Sequence, residues 1–231
     1  MSERARRKMK IIKNLAHLHI TLSEYVAQKM VNWNITPNQI SWLGLVSVFI
    51  SAVLFSFGNY FYSIFGVLFF HFSLFLNRLD GALVRARNMV SKITSYGLWI
   101  NDVFDDVRSP IVIIGIIIGA SDPLIGIIGC VAITSSLYTK IVLRYGKSFL
   151  SENPRAIPQL FESIFGKVLH YSIIILALLN AVQFFVLIFA SYSLVRCLVT
   201  FYTYDTKIRD IVISKARKSK KKIKKKSKGI L

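Results

Sequence analysis

Long apolar segments alternate with short polar ones along most of this chain. A continuous apolar run of about 18 or more residues is typical of a helix that crosses the hydrocarbon core of a membrane. The last apolar block, 168–204, is too long for one such helix, and we divide it near the polar positions 180–183. The predicted spans are therefore 40–57, 61–79, 97–119, 124–143 and two helices within 168–204.

Residues 11–32 have a different pattern, in which apolar and polar positions mix at helical spacing. This pattern predicts an amphipathic helix that lies on the membrane surface. Thr36 and Pro37 then favour the start of the first span, because Thr is a good N-cap and Pro a good first helical residue. The predicted fold class is all-α: a polytopic membrane protein with a six-transmembrane-helix bundle and an N-terminal amphipathic surface helix.

The distribution of positive charge predicts the orientation in the membrane. Lys and Arg occur before the first span, between the second and third, between the fourth and fifth, and after the sixth, whereas the three turns on the other side have none. By the positive-inside rule, both termini are expected in the cytoplasm, in a multi-pass protein of the cell membrane. We predict a basic N-terminus with its juxtamembrane helix at 1–36, the six-helix transmembrane domain at 37–204, and a basic, disordered cytoplasmic tail at 205–231.

The net charge is +19, and much of it lies in the run from Lys215 to Lys228. Because this run follows an apolar segment, it is typical of a tail that faces anionic membrane lipids. No motif that reads DNA or RNA accompanies the charge, so nucleic acid is not an expected partner.

Four aspartates lie where a membrane protein ordinarily avoids charge. Asp80 ends the second predicted span, and three more lie at the start of the third: Asp102, Asp105 and Asp106. Charged residues within spans cost about 3 kcal/mol each and are functional candidates for that reason. A plainer alternative is that these acids only pair with nearby arginines. The candidates for such pairs are Arg78, Arg85, Arg87 and Arg108.

Polar residues spaced i, i+3 or i, i+4 share one face of a helix. Three pairs have this spacing: Asn77 with Asp80, Asn101 with Asp105, and Asp102 with Asp106. Where two such helices face each other, they build an all-oxygen site that suits Mg²⁺ or Mn²⁺, and these ions commonly bridge to substrate phosphates. Gly81 would let a phosphate approach the backbone closely, and Arg85 and Arg87 are placed to bind phosphate oxygens.

One signature resembles that of the CDP-alcohol phosphotransferase (CDP-alcohol phosphatidyltransferase) family, D-x2-D-G-x2-A-R followed after a spacer by G-x3-D-x3-D. Here it reads Asn77-x2-Asp80-Gly81-x2-Val84-Arg85 and then Gly97-x3-Asn101-x3-Asp105. The segments 35–40 and 138–140 also look like that family, so the resemblance covers about residues 15–205. Asn77, Asn101 and Val84 depart from the family pattern, and the spacer is longer than usual.

The resemblance implies an enzyme that transfers a phosphoalcohol (phosphatidyl-type) group from a CDP-alcohol to an acceptor alcohol and releases CMP, with Mg²⁺ or Mn²⁺ as cofactor. It implies that Asp105 is the general base and that Gly81 and Arg85 bind the nucleotide and its phosphates. The implied metal ligands are Asp80, Asp105, Asn77 and Asn101, of which the two amides are the weaker. If the helix is turned by one residue, Asp102 and Asp106 take the last two positions instead.

Lys140 and Arg144 follow the fourth predicted span on its cytoplasmic side. They suit an acceptor that is itself phosphorylated, such as inositol phosphate or glycerol phosphate, although they serve equally well as topology anchors. The expected partners are a CDP-alcohol lipid donor, a small alcohol or polyol-phosphate acceptor and membrane lipids. By resemblance, a homodimer is also expected.

Two other functions are open from the sequence. Asn77 and Asn101, in place of two motif aspartates, suit a degenerate, non-catalytic family member that acts as a lipid- or nucleotide-binding membrane partner. A small transporter is the third candidate, but its acidic residues would be expected near the membrane midplane rather than at the ends of spans. The phospholipid-synthesis enzyme is the function that we expect.

Overall fold

A computed structural model of the chain describes residues 21–88, 95–149, 169 and 171–227. Within these ranges the secondary structure is helical, and the predicted all-α architecture is confirmed. The helices are α1 (21–29), α2 (Pro37–Ser56), α3 (Tyr60–Ala86), α4 (Ser95–Ala120), α5 (Pro123–Phe149), α6 (171–178) and α7 (Gln183–Ser227).

Four of these helices are long and apolar enough to cross a membrane. They contain the segments Pro37–Ser56, Tyr60–Ala86, Pro123–Arg144 and Gln183–Thr206, with mean hydropathies between 1.4 and 2.0. α4 has a similar length of 26 residues, but it carries three aspartates in its first half and Arg108 just after them. The predicted count of six spans therefore stays a prediction, as does the surface helix, since 11–20 lie outside the described residues.

α2 begins where the sequence predicts. The Thr36 hydroxyl accepts a hydrogen bond from the backbone N–H of Gln39 at 3.3 Å, and the Gln39 side chain accepts one from the Thr36 backbone at 2.8 Å. This reciprocal capping box, with Pro37 as the first helical residue, satisfies backbone donors that the helix itself leaves open.

The chain divides into two compact units. The first contains the residues up to Gly126 together with Ile173–Phe184. In this unit α2 packs closely on both α3 and α4, because small residues line the contacts: the Ser51 hydroxyl donates to the Gly66 carbonyl of α3 at 2.7 Å. A Cβ at Gly115 of α4 would collide with the backbone of Ala52 on α2. Small residues that admit close helix approach are typical of membrane helix packing.

The second unit contains Ile127–Ser172 and Phe185–Leu231. In its described part, α5 buries Ala132, Ser136 and Thr139 along one face. α7 likewise buries a line of residues that includes Val186 and Ser193.

Two boundaries of α7 bear on the sequence predictions. The turn before it contains Asn180 in the left-handed region, with a φ of 54°, at the point where the sequence divides the long apolar block. At its other end, α7 continues as a helix to Ser227, so the structure differs from the disordered tail predicted from residue 205. Lys, Arg and Ala are good helix formers and carry the helix beyond its apolar part.

Candidate active site

The last turns of α3 carry Asp80, the first acidic residue of the signature. Asp80 is only 4% exposed, and the hydroxyl of Ser41 on α2 donates a hydrogen bond to Asp80 Oδ2 at 2.6 Å. The backbone N–H of Gly81 donates to Asp80 Oδ1. A buried carboxylate needs such donors, because an unpaired buried charge is costly. Ser41 therefore anchors this carboxylate from a neighbouring helix.

The two halves of the signature meet between α3 and α4. Asn77 Nδ2 donates to Asp105 Oδ1 at 3.0 Å, and Nη1 of Arg108 donates to the same oxygen at 2.8 Å. The Asp105 side chain is nevertheless 47% exposed, whereas that of Arg108 is almost fully buried. The carboxylate that the sequence predicts as general base is thus held by two donors and accessible on part of its surface.

The orientation of α4 bears on which acids face α3. Phe104 is buried, and its ring makes an edge-to-face contact with Trp42 of α2, with the ring centroids 4.8 Å apart. Asp105 contacts Asn77 of α3 through a hydrogen bond, Asp102 is exposed, and Asp106 is half-buried. The hydrogen bond to Asn77 is the observation that supports the register with Asp105, and the choice between this register and the one with Asp102 and Asp106 stays a prediction.

Each half of the signature, one on α3 and one on α4, contains a buried amide oxygen. Asn77 Oδ1 and Asn101 Oδ1 are shielded from solvent and accept no hydrogen bond from any residue that the structure describes. An unsatisfied buried oxygen costs about 1–3 kcal/mol, so each of them needs a partner. A divalent cation would supply one, since Mg²⁺ and Mn²⁺ bind amide and carboxylate oxygens. The donor chemistry of Asp80, Asp105 and the two amides therefore fits such an ion.

The site is nevertheless poor in carboxylates. Across the described ranges, no three His, Cys, Asp or Glu side chains come together as a metal-binding group. This agrees with the presence of Asn77 and Asn101 at two motif positions, because a neutral amide oxygen ligates a cation without adding charge.

The remaining predicted ligands lie on α3 and α5. Arg85 is exposed in the last turn of α3, and a Cβ at Gly81 would lie 3.6 Å from its guanidinium, so these two residues share one helix face. Lys140 and Arg144 belong to α5, where Lys140 is half-buried and Arg144 is exposed. The roles predicted for these four residues in binding nucleotide and acceptor phosphates stay predictions.

Arg87 has a different role from the one that the sequence suggests. Its guanidinium donates to four backbone carbonyls between the end of α1 and the start of α2, at distances of 2.6 to 3.0 Å. The accepting residues are Met30, Val31, Trp33 and Ile35. Since these bonds occupy the guanidinium, Arg87 fastens the segment before α2 to the end of α3 rather than binding phosphate oxygens.

Sequence reasoning missed the role of Ser41 and treated Arg108 only as a possible ion-pair partner. A signal for Ser41 exists, because Ser41, Gly44 and Ser51 recur on one face of α2 at helical spacing, and all three are buried. Such a line of small residues predicts a close helix contact. For Arg108, the signal is its position one turn after Asp105, at the point where the apolar second half of α4 begins.

Comparison with known protein families identifies the family of this chain. A family model described as ceramide phosphoethanolamine synthase matches residues 13–133, slightly more than half of the chain. The chain belongs to this family. The match includes the signature in α3 and α4, and it confirms the resemblance to the CDP-alcohol phosphotransferases. This ceramide phosphoethanolamine synthase family member is therefore a transferase of phospholipid synthesis and, with its four apolar helices, an integral membrane protein.

The fold is similar to that of Mycobacterium tuberculosis phosphatidylinositol phosphate synthase (PgsA1). The structure with CDP-DAG bound has a TM-score of 0.58 and 17% identity, covering 80% of this chain and 94% of that one. The apo form has a TM-score of 0.56 and 18% identity, covering 77% and 93%. At such identities the likeness shows a shared fold. No curated protein sequence matches the chain.

Proposed function

We propose that this chain transfers a phosphoalcohol group from a CDP-alcohol to an acceptor alcohol and releases CMP, with Asp105 as the general base. The observation that supports this most is the 3.0 Å hydrogen bond from Asn77 to Asp105, which joins the two halves of the signature. Membership in the ceramide phosphoethanolamine synthase family supports the same type of chemistry.

In the proposed reaction, the acceptor hydroxyl attacks the phosphorus that carries the alcohol. A new P–O bond forms, the bond to the CMP oxygen breaks, and the hydroxyl proton passes to Asp105. A general base must lie within hydrogen-bond reach of that hydroxyl, and the partial exposure of Asp105 permits such an approach. Asn77 and Arg108 hold the carboxylate, so that the base is positioned before the acceptor arrives.

The proposed ligands of Mg²⁺ or Mn²⁺ are Asp80, Asp105, Asn77 and Asn101. When bound, such an ion would neutralise charge on the pyrophosphate of the donor. Ser41 contributes by anchoring Asp80, since hydrogen bonds to a metal ligand from residues that do not touch the metal fix the orientation of that ligand.

Two pairs of substrates fit this chemistry. The related synthase binds the lipid CDP-DAG, and a lipid donor here would be paired with a small acceptor such as inositol phosphate or glycerol phosphate, bound by Lys140 and Arg144. The name of the family model supports the reverse arrangement as a second candidate, in which a small CDP-alcohol transfers phosphoethanolamine to the hydroxyl of ceramide. Each pair contains one lipid, which suits an integral membrane protein.

A substrate panel tests the proposal. The full-length protein in detergent is assayed for CMP release from CDP-diacylglycerol with inositol phosphate, glycerol phosphate or serine, and from CDP-ethanolamine with ceramide. Each pair is measured with Mg²⁺, with Mn²⁺ and after chelation by EDTA. We expect CMP from one pair, and only with metal. Nucleotide binding without CMP from any pair would contradict the proposal and identify a non-catalytic member of the family.

The arrangement in the membrane is part of the proposal. We propose six spans, both termini in the cytoplasm of the cell membrane, and a homodimer. Epitope tags at the two termini should be cleaved by protease from the same side of sealed vesicles, and chemical cross-linking should give a dimer. Cleavage of the tags from opposite sides would contradict an even number of spans.

A further inference from the structure

Arg108 is a charged residue buried in the first unit. It lies on α4 one turn beyond Asp105 and is 5% exposed. Its Nη1 donates to Asp105 Oδ1 at 2.8 Å, while its Nε is buried and has no hydrogen-bond partner among the described residues. A buried charge on a helix of a membrane protein is costly, so its presence at the motif calls for a function.

The charges of the site limit how many cations it can hold. Asp80 and Asp105 contribute two negative charges and Arg108 contributes one positive charge, while Asn77 and Asn101 are neutral. This set can hold one dication. A second dication would lie close to the buried guanidinium of Arg108, and the repulsion between two such cations is strong away from bulk water.

We propose that Arg108 supplies beside Asp105 the positive charge that a second dication would otherwise supply, so that the site works with one dication. The guanidinium is a permanent cation with a planar set of donors that matches a carboxylate. It keeps a positive charge beside the Asp105 carboxylate and, together with Asn77, holds that carboxylate in one orientation. Arg108 acts through Asp105 and is therefore a positioning residue. The inference rests on the proposed function for its kinetic part, whereas its metal-binding part is measured without turnover.

Counting bound Mn²⁺ tests the metal-binding part directly. The full-length protein in detergent is titrated with Mn²⁺, and the free ion is measured by electron paramagnetic resonance. We expect one Mn²⁺ per chain. Because Arg108→Gln removes the repelling charge, it should tighten Mn²⁺ binding by about tenfold. The triple variant N77D/N101D/R108Q restores the family's carboxylates without the guanidinium, and it should bind two ions per chain.

A matched control comes from α7, where Arg209 pairs with Asp205 at 2.9 Å on an exposed face. Arg209→Gln removes the same unit of charge from a helical ion pair, and it should leave the number and affinity of Mn²⁺ ions unchanged. Two ions of similar affinity in the wild type, or none, would overturn the inference. So would an Arg108→Gln variant that elutes as a folded protein and binds Mn²⁺ as the wild type does.

Kinetics then separate positioning from simple structural support. We expect Arg108→Gln to lower kcat for CMP release by about 100-fold with little change in the KM for the donor, and Arg108→Lys to recover part of the loss because it keeps the charge. Wild-type kcat in a folded Arg108→Gln variant would overturn the inference. If the metal results are as expected but no substrate pair releases CMP, the proposed function fails while the inference on Arg108 stands.

Discussion

Replacing Ser41 by Ala probes the contact between α2 and the buried motif carboxylate. The Ser41 hydroxyl donates to Asp80 Oδ2 at 2.6 Å, where Asp80 is 4% exposed. A hydrogen bond to a charged group contributes about 1.5–3 kcal/mol, and its loss deprives a buried carboxylate oxygen of a donor. We therefore expect Ser41→Ala to lower the free energy of unfolding by about 2 kcal/mol. Because the hydrogen bond from Ser41 orients Asp80, a proposed metal ligand, Mn²⁺ affinity should also fall by about tenfold.

Ser47 offers a matched control for this experiment. Ser41 and Ser47 both lie on α2 and are each 6% exposed, but the Ser47 hydroxyl donates to the carbonyl of Leu43 within its own helix, at 2.8 Å. Ser47→Ala removes no contact with the motif, and we expect it to cost less than about 0.5 kcal/mol. Both variants are unfolded by titration with SDS in mixed micelles, and Mn²⁺ affinity is measured on the folded proteins. Equal losses of stability and of Mn²⁺ affinity in the two variants would refute the reasoning.

Two further predictions concern packing around the site. Arg87→Lys should lower the free energy of unfolding by about 2–4 kcal/mol, because a single ammonium cannot reach the four carbonyls that the guanidinium contacts. Arg85→Lys, at an exposed position, is the control. Equal unfolding midpoints for the two variants would contradict the role assigned to Arg87. Gly115→Ala should destabilise the protein by about 1–3 kcal/mol in the same unfolding assay, because its Cβ would collide with the α2 backbone. As a control, Gly126→Ala adds a Cβ at an ordinary 3.8 Å from the Ile117 side chain, and it should be close to neutral. A harmless Gly115→Ala would mean that α2 and α4 pack less closely than described.

The predictable features of this protein are those that short-range patterns encode. Thr36 and Pro37 predicted the start of α2, and the polar positions 180–183 predicted the break near Asn180, because helix ends depend on neighbouring residues. The spacing of polar residues also indicated which ones share a helix face. It therefore predicted Asn77 and Asp105 as candidates for one site, and the structure joins them by a hydrogen bond.

The features that could not be predicted depend on contacts between distant parts of the chain. Ser41 is 39 residues away from Asp80, and the carbonyls bound by Arg87 are 52 to 57 residues away from it. Helical spacing reports the face on which a side chain lies, but it does not report which helix that face meets. For Arg87, a position beside the motif suggested a phosphate ligand, whereas tertiary packing placed backbone acceptors around its guanidinium.

A comparison of two aspartate variants tests the central claim most directly. Asp105→Asn and Asp102→Asn remove one carboxylate each from the same helix, three residues apart, and CMP release is measured with the substrate pair that the wild type uses. Asp105 accepts hydrogen bonds from Asn77 and Arg108, and it is the carboxylate of α4 that the proposed site uses. We expect Asp105→Asn to lower kcat by at least about 1000-fold, because both the base and a metal ligand are lost, and Asp102→Asn to retain most activity. Full activity in Asp105→Asn, or its loss in Asp102→Asn alone, would contradict the proposed site.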